Sequence, residues 1–262
     1  MVKIASWNVN SLKVRLDQVL EWLESSQVDV LALQETKMVD EKFPAEAFTQ
    51  RGYQVVYSGQ KTYNGVAVIS RYPLTDVQME IPLLDDPQRR ILAVTVLGIR
   101  LINLYVPNGA DLMSDKYSYK LDWFQKVTSF IKQQLSHNPK MVVLGDFNIA
   151  PEDKDVHDPA EWEGSILVSP AERLAFTNML CLGLHDSFRQ FEQEDKLFSW
   201  WDYRAAGFRR NRGLRIDLVL LSDVLRDLCR ESKIDKEPRK AERPSDHAPV
   251  WVELDLPKTE LL

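Results

Sequence analysis

The feature that most constrains this chain is a series of short apolar runs that each stop at polar side chains. The clearest is Met141-Val142-Val143-Leu144-Gly145-Asp146-Phe147-Asn148-Ile149-Ala150-Pro151. Its length and β-branched content suit a strand covered on both faces, and Gly145 lets the backbone turn tightly or approach a neighbour closely. Asp146 and Asn148 follow one residue apart. If the chain stays extended there, both side chains point the same way and converge on a water, a metal or a phosphate oxygen. An Asp and an Asn after a strand also make ordinary turns, so this segment alone leaves both readings open.

Other exits repeat the pattern. Residues 3–9 form a strand ending at Trp7-Asn8-Val9-Asn10, and Leu16, Val19, Leu20 and Leu23 then recur at helical spacing. Val28 to Leu33 is the next run, and it ends in Gln34-Glu35-Thr36-Lys37. A parallel strand–helix–strand unit puts the two exits on one edge, with Asn8 near Glu35. Pro44 opens a short helix that Gly52 closes, Tyr53 to Tyr57 resumes strand character, and Tyr63-Asn64-Gly65 carries a hairpin signal before the strand Val66 to Ser70. Arg90 to Leu97 and Ile99 to Tyr105 are further strands joined at Gly98, and the second exits at Tyr105-Val106-Pro107-Asn108. Successive strands without helices between them exclude a purely parallel sheet.

Tyr117 to Leu135 is the longest helix, with Leu121, Phe124, Val127, Ile131 and Leu135 as its core stripe. Asp153 to Glu163 reads as an irregular loop. Ser169-Pro170-Ala171-Glu172 is a capping box that starts a helix ending before Gly183, with His185 and Asp186 in structural roles beyond it. Arg215 to Leu221 is a strand with Asp217 near its start, and Ser245-Asp246-His247 precedes the final strand, Ala248 to Leu254.

The 262 residues, 44% hydrophobic, are ample for a core, and no linker or repeat divides them, so one domain over 1–262 is expected. Met1-Val2-Lys3-Ile4-Ala5 enters a strand pattern at once and no run approaches membrane-spanning length. A cytoplasmic protein with neither secretory signal nor membrane partner is therefore expected. Cys181 and Cys229 are read as reduced core thiols. The formal charge of −6 argues weakly against a polyanionic ligand. Against that, Arg204, Arg209, Arg210, Arg212 and Arg215 lie within twelve residues, interleaved with Trp200, Trp201, Tyr203 and Phe208. Arginines among aromatics can hold phosphates and stack on bases, although a solvated loop has the same composition.

Collected together, the exits offer Asn8, Glu35, Tyr105, Asp146, Asn148, Asp217, Asp246 and His247, with no serine or cysteine nucleophile, Gly-rich phosphate loop or zinc-type His/Cys spacing. Carboxylates with an amide suit a hard cation such as magnesium, and a metal plus a base points to phosphoester hydrolysis. In that chemistry a carboxylate orients water, and His247, steered by Asp217, holds the phosphate.

Trp7-Asn8-Val9-Asn10, Leu33-Gln34-Glu35-Thr36-Lys37, Tyr105-Val106-Pro107-Asn108, Gly145-Asp146-Phe147-Asn148, Gly213-Leu214-Arg215-Ile216-Asp217 and Ser245-Asp246-His247, taken in order along the whole chain, resemble the exonuclease III family of abasic-site endonucleases. The resemblance implies the DNase I-like four-layer α/β sandwich, two packed mixed β-sheets flanked by helices. It also implies a magnesium-dependent DNA-repair enzyme, with manganese as a substitute ion, that cuts the backbone 5′ to abasic sites in double-stranded DNA. A 3′-to-5′ exonuclease and the cleaning of blocked 3′ ends accompany that activity. A monomer is expected.

By the same resemblance, Glu35 is the principal metal ligand, with Asn8 and Asp246 beside the ion. Asp146 positions or deprotonates the attacking water, Asn148 and Asn108 contact phosphate, Asp217 and His247 form an acid–imidazole pair, and Tyr105 lies by the scissile phosphate. Trp200, Leu214 and Ile216 line a pocket for the base-free sugar, which would exclude a nucleotide still carrying its base. Some relatives have Asp where this chain has Asn10, and some have a DNA-wedging arginine where it has Asp111. Tyr63 or the loop around Arg204 would then supply the wedge. Two rival classes share these residues: a phosphatase or phosphodiesterase on inositol phosphates or lipids, and a non-catalytic DNA-binding protein of the same fold.

Overall fold

The computed structural model describes residues 1–82 and 84–256. In chain order its strands are β1 (Val2–Asn8), β2 (Val30–Gln34), β3 (Gln54–Ser58), β4 (Val66–Ser70), β5 (Thr75–Gln78), β6 (Ile91–Val96), β7 (Ile99–Tyr105), β8 (Met141–Asp146), β9 (Leu184–Asp186), β10 (Trp200–Trp201), β11 (Gly213–Leu214), β12 (Asp217–Ser222), β13 (Cys229–Ile234) and β14 (Val250–Leu254). Its α-helices are α1 (Leu12–Ser26), α2 (Ala45–Thr49), α3 (Asp115–Leu135), α4 (Pro159–Trp162), α5 (Pro170–Leu180) and α6 (Asp223–Arg226).

Two six-stranded sheets result, ordered β13-β14-β1-β2-β4-β3 and β5-β6-β7-β8-β12-β9. Each is mixed: β1 and β2 run parallel in one, β7 and β8 in the other, and their remaining pairs are antiparallel. Three apolar layers hold four layers of structure together. Val2, Ile4, Val30 and Ala32 of the first sheet meet Leu101, Val142, Leu144 and Val219 of the second. Phe124, Val127 and Phe176 of α3 and α5 cover the outer face of the second sheet, and Val19, Leu23 and Phe48 of α1 and α2 cover that of the first. This is the four-layer sandwich that the resemblance implies.

Side chains alternate along a strand, so the face that carries Val142 and Leu144 also carries Asp146. By the same count Asn8 continues the face of Ile4, Gln34 that of Ala32, Asn103 and Tyr105 that of Leu101, and Asp217 that of Val219. The space between the sheets is therefore apolar along most of its length and polar at one end. The polar end begins with a stitch: Gln34 Nε2 donates to Asn103 Oδ1 at 2.8 Å and to Ser6 Oγ at 3.0 Å, while Asn103 Nδ2 reaches the Leu33 and Ala67 carbonyls at 3.0 Å each. Buried polar groups tolerate such a position only when paired across it.

Several expectations need correction. The Asp153–Glu163 segment is not all loop. A 3₁₀ turn covers Asp153–Asp155, and α4 follows, started by Asp158 accepting from Glu161 N with Pro159 in its first turn. The hairpin before β4 is not a two-residue turn at Asn64-Gly65. The paired strands end at Ser58 and Val66, and the dipeptide closes a longer loop whose Asn64 carbonyl accepts from Lys37 N. The buried stripe of α3 is Lys120, Trp123, Phe124, Val127, Phe130 and Ile131, rotated so that Leu121 and Leu135 lie at its margin. Cys181 is exposed, because it caps the end of α5 on the solvent side, whereas Cys229 is buried. Among the described residues no helix is long and apolar enough to cross a membrane.

Candidate active site

Three strand pairings bring the acids together. Parallel β1 and β2 align Asn8 with Gln34 and so set Glu35 beside Asn8. Parallel β7 and β8 align Tyr105 with Asp146, and antiparallel β12 places Asp217 opposite Asp146. Gly145 makes this approach possible. Its φ is +143°, and a Cβ there would lie 1.9 Å from the Leu104 carbonyl oxygen, a contact no other residue survives.

The chain does not stay extended after Asp146. Asn148 has φ +48°, and Glu35 and Asn10 are also left-handed at +53° and +43°. Non-glycine residues in that region concentrate where surrounding contacts over-determine the backbone. Here Asn148 N donates to Asp146 Oδ1 at 3.0 Å, Asn148 Nδ2 donates to the Val106 carbonyl at 2.9 Å, and Asn108 Nδ2 donates to Asn148 Oδ1 at 3.3 Å.

Asn8 stands between the two sheets. Its amide donates to Glu35 Oε1 and to Asp146 Oδ2, both at 2.9 Å, and its Oδ1 accepts from Asn10 N. With its NH₂ turned to the acids it orients both carboxylates. The Asp246 oxygens accept from Trp200 Nε1 at 3.0 Å and Asn10 Nδ2 at 2.9 Å. Asn10 in turn accepts from Lys37 Nζ at 2.6 Å, and Lys37 lies 2.9 Å from Glu35 Oε2. Glu35, Asp146 and His247 bring potential donor atoms within 4.8 Å of one another.

Electrostatics separates their roles. Burial opposes charge on the His247 ring, but Asp217, Asp146 and Asp246 outweigh it and lift its pKa to about 10. The ring is then an imidazolium whose Nδ1 donates to Asp217 at 2.9 Å and whose Nε2 stands 3.7 Å from Asp146 Oδ2. Burial, reinforced by Asp217 and Glu35, raises Asp146 to about 7 against the pull of His247 and the Asn8 hydrogen bond. Burial also pushes Glu35 upward, yet Lys37 and the Asn8 amide hold it below its ordinary value. Tyr105 stays a phenol, its pKa carried well above the usual by burial and then by Glu35 and Asp146. An ionised Glu35 beside a second carboxylate is an oxygen donor set that fits a hard divalent cation.

These groups form one wall of a cleft of about 690 Å³. Its apolar lining is Trp162, Ile166, Leu167, Trp200 and Ile216, with the Trp162 and Trp200 rings edge to face at 6.4 Å between centroids. Leu214 does not line it. It is fully buried behind Trp200 and Ile216, packed on Ala150 and Val156. Arg204 borders the cleft, exposed and paired with Asp202 at 2.6 Å. Tyr63 lies outside the cleft, 68% exposed, one residue before the Asn64 carbonyl that binds Lys37 N.

The arginine-rich stretch divides. Arg209 and Arg210 are exposed like Arg204, whereas Arg215 is buried on Asp155 and Asp186 and Arg212 pairs with Glu161. Sequence reasoning missed His157, Glu161 and Trp162 on the cleft rim. The one available signal was Asp158-Pro159, which marks a helix start in a segment read as loop.

Residues 5–247 match the Endonuclease/Exonuclease/phosphatase family. Exodeoxyribonuclease III of Haemophilus influenzae is 35% identical over 96% of this chain and 99% of its own. The chain belongs to the exonuclease III family. Among solved members of similar structure, the 3′ phosphatase NExo from Neisseria, bound to a product DNA hairpin, is 49% identical with a TM-score of 0.96, covering 98% of this chain and all of that one. An AP endonuclease from Archaeoglobus fulgidus is 36% identical with a TM-score of 0.95 over the same shares.

Proposed function

We propose that this exonuclease III-type nuclease uses magnesium, or manganese in its place, to hydrolyse the DNA backbone 5′ to abasic sites and to trim or clean 3′ ends. The whole chain acts as one catalytic unit, a monomer in the cytoplasm. A single observation carries the reading: an ionised Glu35, an Asp146 poised at about 7 and a cationic His247 converge on a cleft that also has an apolar lining.

Glu35, with Asp146 beside it, would hold the metal, which when bound neutralises charge on the phosphate. Asp146 takes a proton from the attacking water, for which a pKa near the working pH is best suited. The water oxygen bonds to phosphorus as the bond from phosphorus to O3′ breaks, leaving a 3′-hydroxyl on one side and a 5′-phosphate on the other. His247 donates from Nε2 to a phosphate oxygen, kept charged and oriented by Asp217. Asn108 and Asn148 fix the phosphate, and the Tyr105 phenol can protonate the leaving oxygen. The apolar wall formed by Trp162, Trp200 and Ile216 takes the base-free sugar. Arg204 meets the DNA backbone, and Tyr63, on the loop between β3 and β4, and the 94% exposed Met113, on the loop leading from Asn108, supply apolar contacts to it.

A narrower reading, activity confined to 3′ ends, is favoured by the higher identity to the 3′ phosphatase than to the AP endonuclease. One experiment separates these. A labelled duplex with one abasic-site analogue, and a second with a 3′-phosphate at a nick, are incubated with magnesium and with chelator. Metal-dependent incision immediately 5′ to the lesion is expected. Phosphate removal alone selects the narrower reading, and phosphate release from a soluble inositol phosphate with both duplexes intact overturns the DNA assignment.

A further inference from the structure

Lys120 and Glu172 form an ion pair sealed from solvent, with side chains 1% and 0% exposed and Nζ 2.5 Å from Oε1. Lys120 occupies a position on the buried stripe of α3 that an apolar residue would ordinarily fill. Replacing such a pair by hydrophobic residues is often neutral for stability, so the capping box by which Glu172 starts α5 is a reason for the acid but not for its lysine partner. The hydrogen bonds of the lysine give one. An ammonium group has three protons, and the second and third of Lys120 go to the backbone carbonyls of Asn148 at 2.6 Å and Asn108 at 3.1 Å. These are the two asparagines that meet at the cleft, one of them in the left-handed region.

Glu172 extends the same connection to the apolar lining. Its Oε1 accepts from Leu167 N at 3.1 Å, and its Oε2 accepts from Ser169 N at 3.1 Å and Ser169 Oγ at 2.7 Å. Leu167 lines the cleft, and its carbonyl accepts from Ala150 N at 2.7 Å. Tyr117, one turn before Lys120, places its hydroxyl 2.6 Å from Ser169 Oγ. One buried pair thus ties the Asn108 loop, the Asn148 turn and the Leu167 wall to α3, and touches no substrate itself.

We propose that Lys120 and Glu172 are positioning residues that set the spacing between the phosphate-holding asparagines and the apolar wall; as a statement about catalysis this rests on the functional reading above. Misplacing such groups by about 1 Å can lower a rate by roughly 10²-fold without weakening the encounter with substrate.

The test is the double variant Lys120→Met/Glu172→Leu, which removes both charges together, with Glu172→Gln as a second variant that keeps the shape and the acceptor oxygen. Three quantities are followed: the unfolding midpoint, kcat and KM on the duplex substrates, and the Asn108 and Asn148 side-chain amide signals in asparagine-labelled protein. The double variant should fold, lose about 10²-fold in kcat with KM changed by less than about two-fold, and show both amide signals displaced. Glu172→Gln should lose several-fold in kcat. A folded double variant with unchanged kcat overturns the proposal, as does an unchanged kcat in Glu172→Gln should the double variant not fold. If the wild type cleaves neither duplex, the functional reading falls and the amide signals decide alone, unmoved signals removing the strut.

Discussion

Two buried charge clusters begin two residues apart on the chain and differ in how well their charges balance. Arg215 is 1% exposed, yet Asp155 and Asp186 grip its guanidinium with four hydrogen bonds of 2.6 to 3.2 Å, and Arg189 binds the same Asp155. Burial alone would lower the arginine's pKa, but Asp186 and Asp155 raise it. Two arginines meet two aspartates, so the charges of the cluster balance. Around Asp217 the arrangement is different: His247 and Lys37 lie within ion-pair distance of Glu35, Asp146 and Asp217, while Lys120 and Arg239 act on Asp146 and Asp246 without pairing with them. Burial, reinforced by the neighbouring acids, displaces Asp146 to about 7, and the three aspartates displace His247 to about 10. Balanced buried charge fixes a wall, whereas unbalanced buried charge marks the place where a cation and a reacting phosphate are wanted.

Removing the cation or its holder should give the largest effect. With chelator, or in Glu35→Ala at saturating magnesium, cleavage of the abasic duplex should fall by about 10³-fold or more, measured as single-turnover rates. Loss of less than about ten-fold would make Glu35 a bystander. The balanced cluster should respond in the opposite currency. Arg215→Met leaves Asp186 unpaired and Asp155 with Arg189 alone, and should cost about 3–5 kcal/mol of stability by denaturant unfolding. The rate per folded molecule should stay within a few-fold of wild type, and a large loss in fully folded protein would erase the distinction between the clusters.

Protonation sharpens the same contrast. Asp146 must be ionised to take a proton, so kcat/KM should fall as pH drops below about 7, and it should fall again above about 10 as His247 loses its charge. Asp217→Asn removes the neighbour that most raises His247, so the alkaline limb should move to lower pH; an unmoved limb would assign it to another group. Stability carries the smallest and most specific signature. Asp146 binds its proton more tightly folded than unfolded, so folding is penalised progressively as pH rises from 3.8 to about 7 and fully above that. Asp146→Asn should therefore raise the unfolding midpoint by a few degrees above pH 7 and not at pH 4, as followed by calorimetry.

Much of this was legible in the sequence because alternation and burial act locally. The strands β1, β2, β7 and β8 end, and β12 begins, at the polar end of the core, which located Asn8, Glu35 just past Gln34, Tyr105, Asp146 and Asp217. The hydrogen-bond partners of Asn8 and Asp246 were not legible, since they depend on which way an amide turns and on the Trp200 and Asn10 donors. Composition suggested that Arg215 belonged with its exposed neighbours. Only the return of Asp155 and Asp186 from distant segments buries it. Leu214 shares a motif with Ile216, yet the pairing of β10 with β11 turns it behind the wall that Ile216 forms. Lys120 carried a signal that went unread, a lysine at the helical spacing of Phe124 and Val127.

The most direct measurement is of Asp146→Asn, with DNA binding and cleavage followed side by side on the abasic duplex in magnesium. Asparagine keeps the shape and removes the base, so cleavage should fall by about 10²–10⁴-fold while the dissociation constant for DNA changes by no more than a few-fold. Cleavage within ten-fold of wild type, or an equal loss of binding and cleavage, would contradict the assignment of Asp146 as the group that takes the proton from water.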